Sequence, residues 1–482
     1  MKPTLSHFLI VILFLALVIF ALSEFLDAIP LYLWDESRQA INALEMYQNN
    51  NWLVTYYDGV PDMWNTKPPL LIWIQVFFIH LFGPTVTAIR AVSAIAGIIT
   101  CLVLFRFIYL QTKQIWLGFF SGIILVSIQA FNGYHGTRSG DYDSLLTLFM
   151  LLAVIQFYYY SNTLLKKHIL LFFLFLSLGC LTKGIAALLL MPTLFVYSCI
   201  TKKTVFIFKD KYFYLGCISF CIVIVLYYCS RELANPGYLK AVYANELGGR
   251  YLQVNEGHRG DGFFYLKYFF TNNVFLYNYV LVILLILYPF INPYSSNVRL
   301  FEYLLIIILS YFSILSFSKT KIVWYIMPSL PFIAGIIPLL LYDFTSFLYS
   351  KFQIHFIQKA TVVLLLISIL GICSYSEIIK VHNHPEKESD DFYRISTFFH
   401  TEEYQTSALN LKVASHFKKH IYFYIARLRL KHQQIEFKDY KKLNPQESVI
   451  VSDPDINVYI KNNYSVDEIY TKDILHIYTI RK

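Results

Sequence analysis

The run LLIWIQVFFIHLF, Leu70 to Phe82, decides the fold. It is apolar except at Gln75 and His80, starts soon after Lys67 and stops at Gly83-Pro84. An α-helix needs about 20 residues to cross a hydrocarbon core of about 30 Å, whereas a run of about 10 to 14 lies in the interface or re-enters. The run is too short to cross and reads as an interfacial helix. That reading sets which side of the membrane every later loop occupies.

Longer apolar runs lie on either side of it. The first, about Phe8 to Leu26 behind Lys2, reads as an uncleaved anchor rather than a signal peptide. Later candidates are 86–110, 115–131, 144–161, 169–182, 185–200, 212–230, 272–291, 300–317, 323–342 and 359–380, about eleven spans in all. The composition agrees: of 482 residues 57% are apolar and 15% charged, and the mean hydropathy of +0.51 excludes a water-soluble fold. With the N-terminus inside, the inner loops carry Arg106, Lys113, Lys166, Lys167, Lys202, Lys203, Lys209, Lys211, Arg299, Lys351 and Lys359. This is the positive-inside pattern, and it accounts for the net charge of +9 without nucleic acid. The outer segments are then 27–85, 132–143, a tight turn at Lys183, 231–271, Ser318 to Ile322, and everything after about Val381. All seven cysteines fall in apolar runs, so neither the outer loops nor the tail can form an internal disulfide.

From His382 onward the chain turns polar, broken by Ile421 to Tyr424, Ser448 to Val451 and Ile474 to Ile480, which read as strands. With a helix expected near Ser407 to Lys419, they suggest a small α/β domain of about 100 residues, more an appendage than a catalytic unit. The expected architecture is an α-helical polytopic membrane protein, residues 1–380, followed by a small C-terminal α/β extramembrane domain, residues 381–482.

Charge at span ends is costly and marks candidate function. The first outer loop holds Asp35, Glu36, Arg38, Asp58, Asp62 and then Lys67-Pro68-Pro69. Paired carboxylates beside cations suit acid/base work on a phosphate-bearing substrate, and equally suit helix caps and surface ion pairs. The second outer loop reads His135-Gly136-Thr137-Arg138-Ser139-Gly140-Asp141-Tyr142-Asp143, in which Asp143 could cap the next helix. Lys183 lies in an otherwise apolar stretch, where an unpaired ammonium would be expensive. Glu246, Arg250, Glu256, His258, Arg259 and Asp261 in the long loop, with Lys319 and Lys321, complete a basic rim enclosing carboxylates. Such a rim suits a lipid phosphate at the interface, with membrane-embedded helices receiving its tail; the same lysines also serve as helix-end anchors. No Walker loop, GxGxxG or HExxH opens a nucleotide or zincin reading.

The order Asp35-Glu36-x-Arg38, Lys67-Pro68-Pro69-Leu70 with Trp73 and Phe82-Gly83, Arg90, Arg138 with Asp143-Ser144-Leu145-Leu146, Leu181-Thr182-Lys183-Gly184, and Lys319-x-Lys321 before Tyr325 and Pro328 resembles the GT-C membrane glycosyltransferases. Within that class it is most similar to the branch of protein O-mannosyltransferases and lipid A aminoarabinose transferases, over about residues 8 to 342. The resemblance implies transfer of a sugar from a polyprenyl-phosphate carrier, with inversion, to a lipid, glycan or protein acceptor. The expected location is a bacterial inner membrane, with the catalytic loops and the C-terminal domain periplasmic. By carry-over, Asp35 is the catalytic carboxylate and Asp143 the second acidic residue. Arg38 and Lys67 engage the donor phosphate, with Arg138, Lys183, Lys319 and Lys321 as further phosphate-binding candidates. Glu36, Asp141, Glu246, Arg250 and His258 are other candidates. In the aminoarabinose branch an acidic residue commonly precedes the lysine of Lys-Pro-Pro and contributes to a divalent metal site; here that position is Thr66, so no metal is expected even though His258 is available. The alternative reading is a transporter or flippase of lipid-linked sugars. Transporters often carry paired repeats, and the Asp35 to Leu70 pattern has no second copy.

Overall fold

The computed structural model describes residues 5–248, 254, 257–271, 278–291, 297–352, 375, 390–401, 411–416, 418–430 and 434–481. Among these, seven helical stretches are long and apolar enough to cross a membrane: Leu5–Ser23, Val86–Thr112, Tyr142–Thr163, Lys166–Ile200, Lys211–Ala234, Val298–Phe317 and Val323–Lys351. They hold eight of the about eleven expected spans, since 169–182 and 185–200 both lie in the stretch Lys166–Ile200. The 115–131 run breaks at Ile128, where the backbone turns extended, leaving the shorter helix Ile115–Ser127. The 272–291 run contains the helix Asn278–Ile291. The expected span at 359–380 lies outside the described residues apart from Tyr375.

The stretch Lys166–Ile200 is a hairpin. Lys183 sits beside Asp143 at the start of the Tyr142–Thr163 helix. Tyr197 meets Tyr303 edge to face, Tyr303 donates to the Val154 carbonyl, and Lys203 reaches Asn162 at that helix's far end. The chain therefore reverses at Gly184, whose φ of 55° lies in the left-handed region that favours glycine. An apolar cluster centred on Phe14, Leu104, Phe131, Leu151, Ile307 and Ile333 fills the bundle between the helices. Ile218, Ile222, Val225 and Leu226 of Lys211–Ala234 are exposed, as on a lipid-facing helix.

The bundle has two chemically different ends. One gathers Arg106, Lys113 and Lys167 around a shared cavity, with Lys203 close to Arg299. The other carries the Asp35–Asn49 and Leu70–Phe82 helices, the 132–143 loop and the Lys183 turn.

The tail forms a five-stranded sheet ordered Ile435–Phe437, Leu411–Ala414, Ser448–Val451, Leu475–Ile480, Val466–Lys472; the first three strands are parallel and the last two join antiparallel. Two of its local expectations are overturned. Residues 421–424 lie within the helix Lys419–Leu430, and the helix expected near Ser407 to Lys419 gives way to the strand Leu411–Ala414. One side of the sheet shares a buried core with the Asp35–Asn49 and Leu70–Phe82 helices.

Candidate active site

Asp35 opens the helix Asp35–Asn49 and is exposed, while the next residue, Glu36, is buried. Glu36 receives two bonds of 2.8 Å from Arg90 and further bonds from the amides of Tyr32 and Gly140. It is thereby a tie between the first loop, the second loop and the bundle, rather than a group open to substrate. Arg38 makes a bidentate pair with Asp62 at 2.8 and 2.7 Å and lies over the Tyr57 ring. Burial works against Asp62 ionising, but the Arg38 bond and charge, with Asn42 and the Asn65 amide, hold its carboxyl below the usual range. The guanidinium expected at the donor phosphate thus has two of its donors committed to the loop 50–65.

The carboxylates of the second loop have separate partners. Asp141, not Asp143, caps the Tyr142–Thr163 helix. Its Oδ1 accepts from Gln39 at 3.0 Å and from the Tyr142 amide at 2.7 Å, and its Oδ2 meets His135 Nδ1. Burial opposes charge on both members of this pair. The Asp141 charge nonetheless raises the His135 value, and His135, with Lys183 nearby, holds Asp141 below the carboxylate range. A lone loop histidine carries no signal in a sequence; the meaning of His135 comes from stacking on Trp324 at 3.6 Å between ring centres and from facing Asp35, Asp141 and Asp143 together.

Asp143 receives Lys183 Nζ at 2.6 and 2.5 Å, with both side chains buried. An ammonium has three donors, and this pair uses two. Lys183 and Asp143 stand on the wall of a cavity of about 540 Å³. Lys67, Glu246 and Tyr325 also line it, and its remaining walls are chiefly apolar, among them Leu146, Ile185, Leu189 and Leu315. Lys67 lies 3.7 Å from Glu246 and over the Tyr142 ring. A second cavity of about 350 Å³ shares Lys67, Lys183 and Glu246 and runs toward Phe220 and Tyr228.

The remaining candidates lie elsewhere. Arg138 donates to the carbonyls of Ala21 and Glu24, securing the end of the first helix. Lys321 donates to the carbonyls of Leu315 and Ser316, an end cap; burial lowers its value. Lys319 is exposed. His258 is exposed, and its carbonyl accepts from the Lys321 amide. Arg250 falls outside the described residues.

The model for the dolichyl-phosphate-mannose-protein mannosyltransferase family matches residues 66–228. Two curated relatives, undecaprenyl phosphate-alpha-4-amino-4-deoxy-L-arabinose arabinosyl transferases of Aeromonas hydrophila and Aeromonas salmonicida, are 27% and 26% identical over 249 residues. That alignment covers 50% of this chain and 44% of each relative, so the chain spans less than half the length of the curated relatives it matches. The crystal structure of ArnT from Cupriavidus metallidurans bound to undecaprenyl phosphate superposes with a TM-score of 0.73, covering 97% of both chains at 16% identity. The chain thus has the fold of ArnT and resembles, over part of its length, glycosyltransferases of the O-mannosyltransferase and aminoarabinose transferase type. The Archaeoglobus fulgidus oligosaccharyltransferase has a more distantly similar fold, with a TM-score of 0.53 at 12% identity over 89% of this chain and 64% of that one.

The metal site implied for the aminoarabinose branch does not fit this chain. Thr66 is buried and offers no carboxylate, and His258 is exposed. Among the described residues, Asp35, His135 and Asp141 have ligand atoms within 4.8 Å of one another. His135 and Asp141 already satisfy each other, and Gln39 and the Tyr142 amide take the second Asp141 oxygen.

Proposed function

We propose that this chain is a glycosyltransferase that moves a hexose or pentose from a polyprenyl-phosphate carrier to a lipid, glycan or protein acceptor. The observation that carries this reading is the 540 Å³ cavity, apolar along its walls and bearing Lys67, Lys183, Asp143 and Glu246. A prenyl chain suits the apolar part and a phosphodiester suits the lysines. The names of the curated relatives and the ligand of the ArnT structure support the same donor class. The basic residues cluster at the far end of the bundle, which supports a cytoplasmic far end and, in a bacterial inner membrane, a periplasmic site and C-terminal domain.

In the proposed reaction an acceptor oxygen attacks the anomeric carbon from the side opposite the phosphate. The bond from that carbon to the phosphate oxygen breaks, and its electron pair leaves on polyprenyl phosphate. Lys67 and the free donor of Lys183 neutralise the charge that develops there. Where the acceptor is a hydroxyl, its proton passes to Asp35; where it is a phosphate, Asp35 orients it. Asp143 acts by holding Lys183 at the cavity wall. A transporter would need its charged groups near mid-membrane and a path past them. Here they sit at one end, above a packed apolar core.

The test is transfer from undecaprenyl-phosphate sugars by the purified protein. Asp35→Asn keeps the shape and removes the base, so turnover should fall by about 100-fold or more, the scale of general-base catalysis, with undecaprenyl-phosphate affinity unchanged. Near-normal turnover would remove Asp35 from the mechanism.

A further inference from the structure

The loop that presents Asp35 is held from two directions. From the bundle, Arg90 donates to the carbonyls of Leu26, Ile29 and Pro30 at 2.7, 3.0 and 2.8 Å. From the C-terminal domain, the Tyr424 hydroxyl accepts the Leu31 amide at 2.9 Å and the Tyr393 hydroxyl accepts the Leu33 amide at 3.1 Å. His400 Nε2 meets the Asp27 carbonyl at 2.5 Å, and the intervening Tyr32 amide goes to Glu36. Three successive amides therefore have three different partners, and the tail domain supplies two of them.

The next residue is strained. Trp34 has φ 65° and ψ −102° immediately before Asp35, a conformation that persists only where its surroundings over-determine it. Leu31 and Leu33 are buried, so their amides cannot turn to water for replacement bonds. Without the two phenols the loop must move to satisfy them, and the displacement passes through Trp34 to Asp35. Apolar packing runs across the same junction, with Ile41, Leu44 and Val76 in one buried cluster with Phe399 and Tyr424.

We propose that Tyr424 and Tyr393 are positioning residues for sugar transfer: through them the C-terminal domain acts as a strut that fixes the loop Leu31 to Trp34 and so places the Asp35 carboxylate. The proposal rests on the assignment of Asp35 as the reacting carboxylate. It gives the tail domain a part in the site, in place of the appendage expected from its sequence.

Phenylalanine at position 424 keeps the ring in the buried cluster, phenylalanine at position 393 keeps the half-buried ring, and either change removes only the oxygen. The test uses the full-length protein in detergent: wild type, Tyr424→Phe, Tyr393→Phe and the double variant. Hydrogen exchange of the Leu31 and Leu33 amides should quicken about tenfold or more where the acceptor is lost, while the strands Ser448–Val451 and Leu475–Ile480 exchange as in wild type. Turnover in the double variant should fall about tenfold, the order expected for a misplaced catalytic group. Affinity for undecaprenyl phosphate, the probe of the donor site, should stay unchanged because Lys67 and Lys183 are untouched. Unaltered exchange at Leu31 and Leu33 in the double variant would overturn the strut, as would faster exchange with full turnover. Should the wild-type protein transfer no sugar at all, the glycosyltransferase reading falls, and the exchange measurement still decides whether the two tyrosines hold the loop.

Discussion

In the proposed mechanism the pair Asp143–Lys183 has two separable roles, one in stability and one in donor binding. Both side chains are buried, at 2% and 8% exposure, with Nζ 2.5 and 2.6 Å from the two carboxylate oxygens. Lys183→Met leaves a buried carboxylate without its cation, which costs about 3–5 kcal/mol of stability. It also removes one charge-assisted bond to the donor phosphate, about 1.5–3 kcal/mol, which is roughly a ten- to hundred-fold rise in Kd. The double variant Asp143→Leu/Lys183→Met removes both charges, and a buried pair replaced by apolar groups of similar volume is often neutral for stability. Its melting temperature should return close to wild type while the Kd for undecaprenyl phosphate stays raised. Thermal melts and direct titration of detergent-purified protein measure the two quantities independently. If the double variant recovers affinity together with stability, Lys183 is only the structural partner of Asp143 and donor binding rests elsewhere.

In a cysteine-free background, cysteines at Val60 and Val458, both exposed, should react with a membrane-impermeant thiol reagent added outside, and one at Gln114, on the loop beside Lys113, should not; labelling of Val60 and Gln114 from the same side would undo the sidedness. The His135–Asp141 pair gives a pH dependence whose sign is set by His135. Its value is raised above the ordinary 6.5 by the Asp141 charge against the opposing effect of burial, so its contribution is full below about pH 6.5 and is lost as pH rises through the raised value. Wild-type stability should therefore decline on the alkaline side of neutrality more steeply than that of His135→Gln, and parallel melting curves across pH 6 to 10 would refute the ion pair.

Much of the bundle was legible because membrane burial writes itself into composition over lengths set by the bilayer. The short Leu70–Phe82 helix and the reversal at Gly184 both follow from length, glycine and charge placement. The tail was harder to read. Leu411–Ala414 is a central parallel strand buried at every position, so it lacks the alternation that marks a half-exposed strand. Ile421 to Tyr424 is rich in β-favouring residues, yet it lies in a helix whose buried face is shared with the sheet and the Asp35–Asn49 helix.

The candidate residues were visible one by one, as costly charges near span ends; their pairing was not. Sequence order alone established a polytopic helical chain with Asp35, Lys67, Asp143 and Lys183 gathered at one end, because hydrophobic length and the placement of lysine and arginine are local properties of the chain. Tertiary structure decided that Arg38 belongs to Asp62, Glu36 to Arg90 and Arg138 to the end of the first helix. It also decided that Lys183 faces Asp143 and that the tail domain grips the loop before Asp35. Those choices depend on which of several nearby opposite charges and hydrogen-bond acceptors a side chain can reach in three dimensions, and that distance is not encoded in any local pattern of residues.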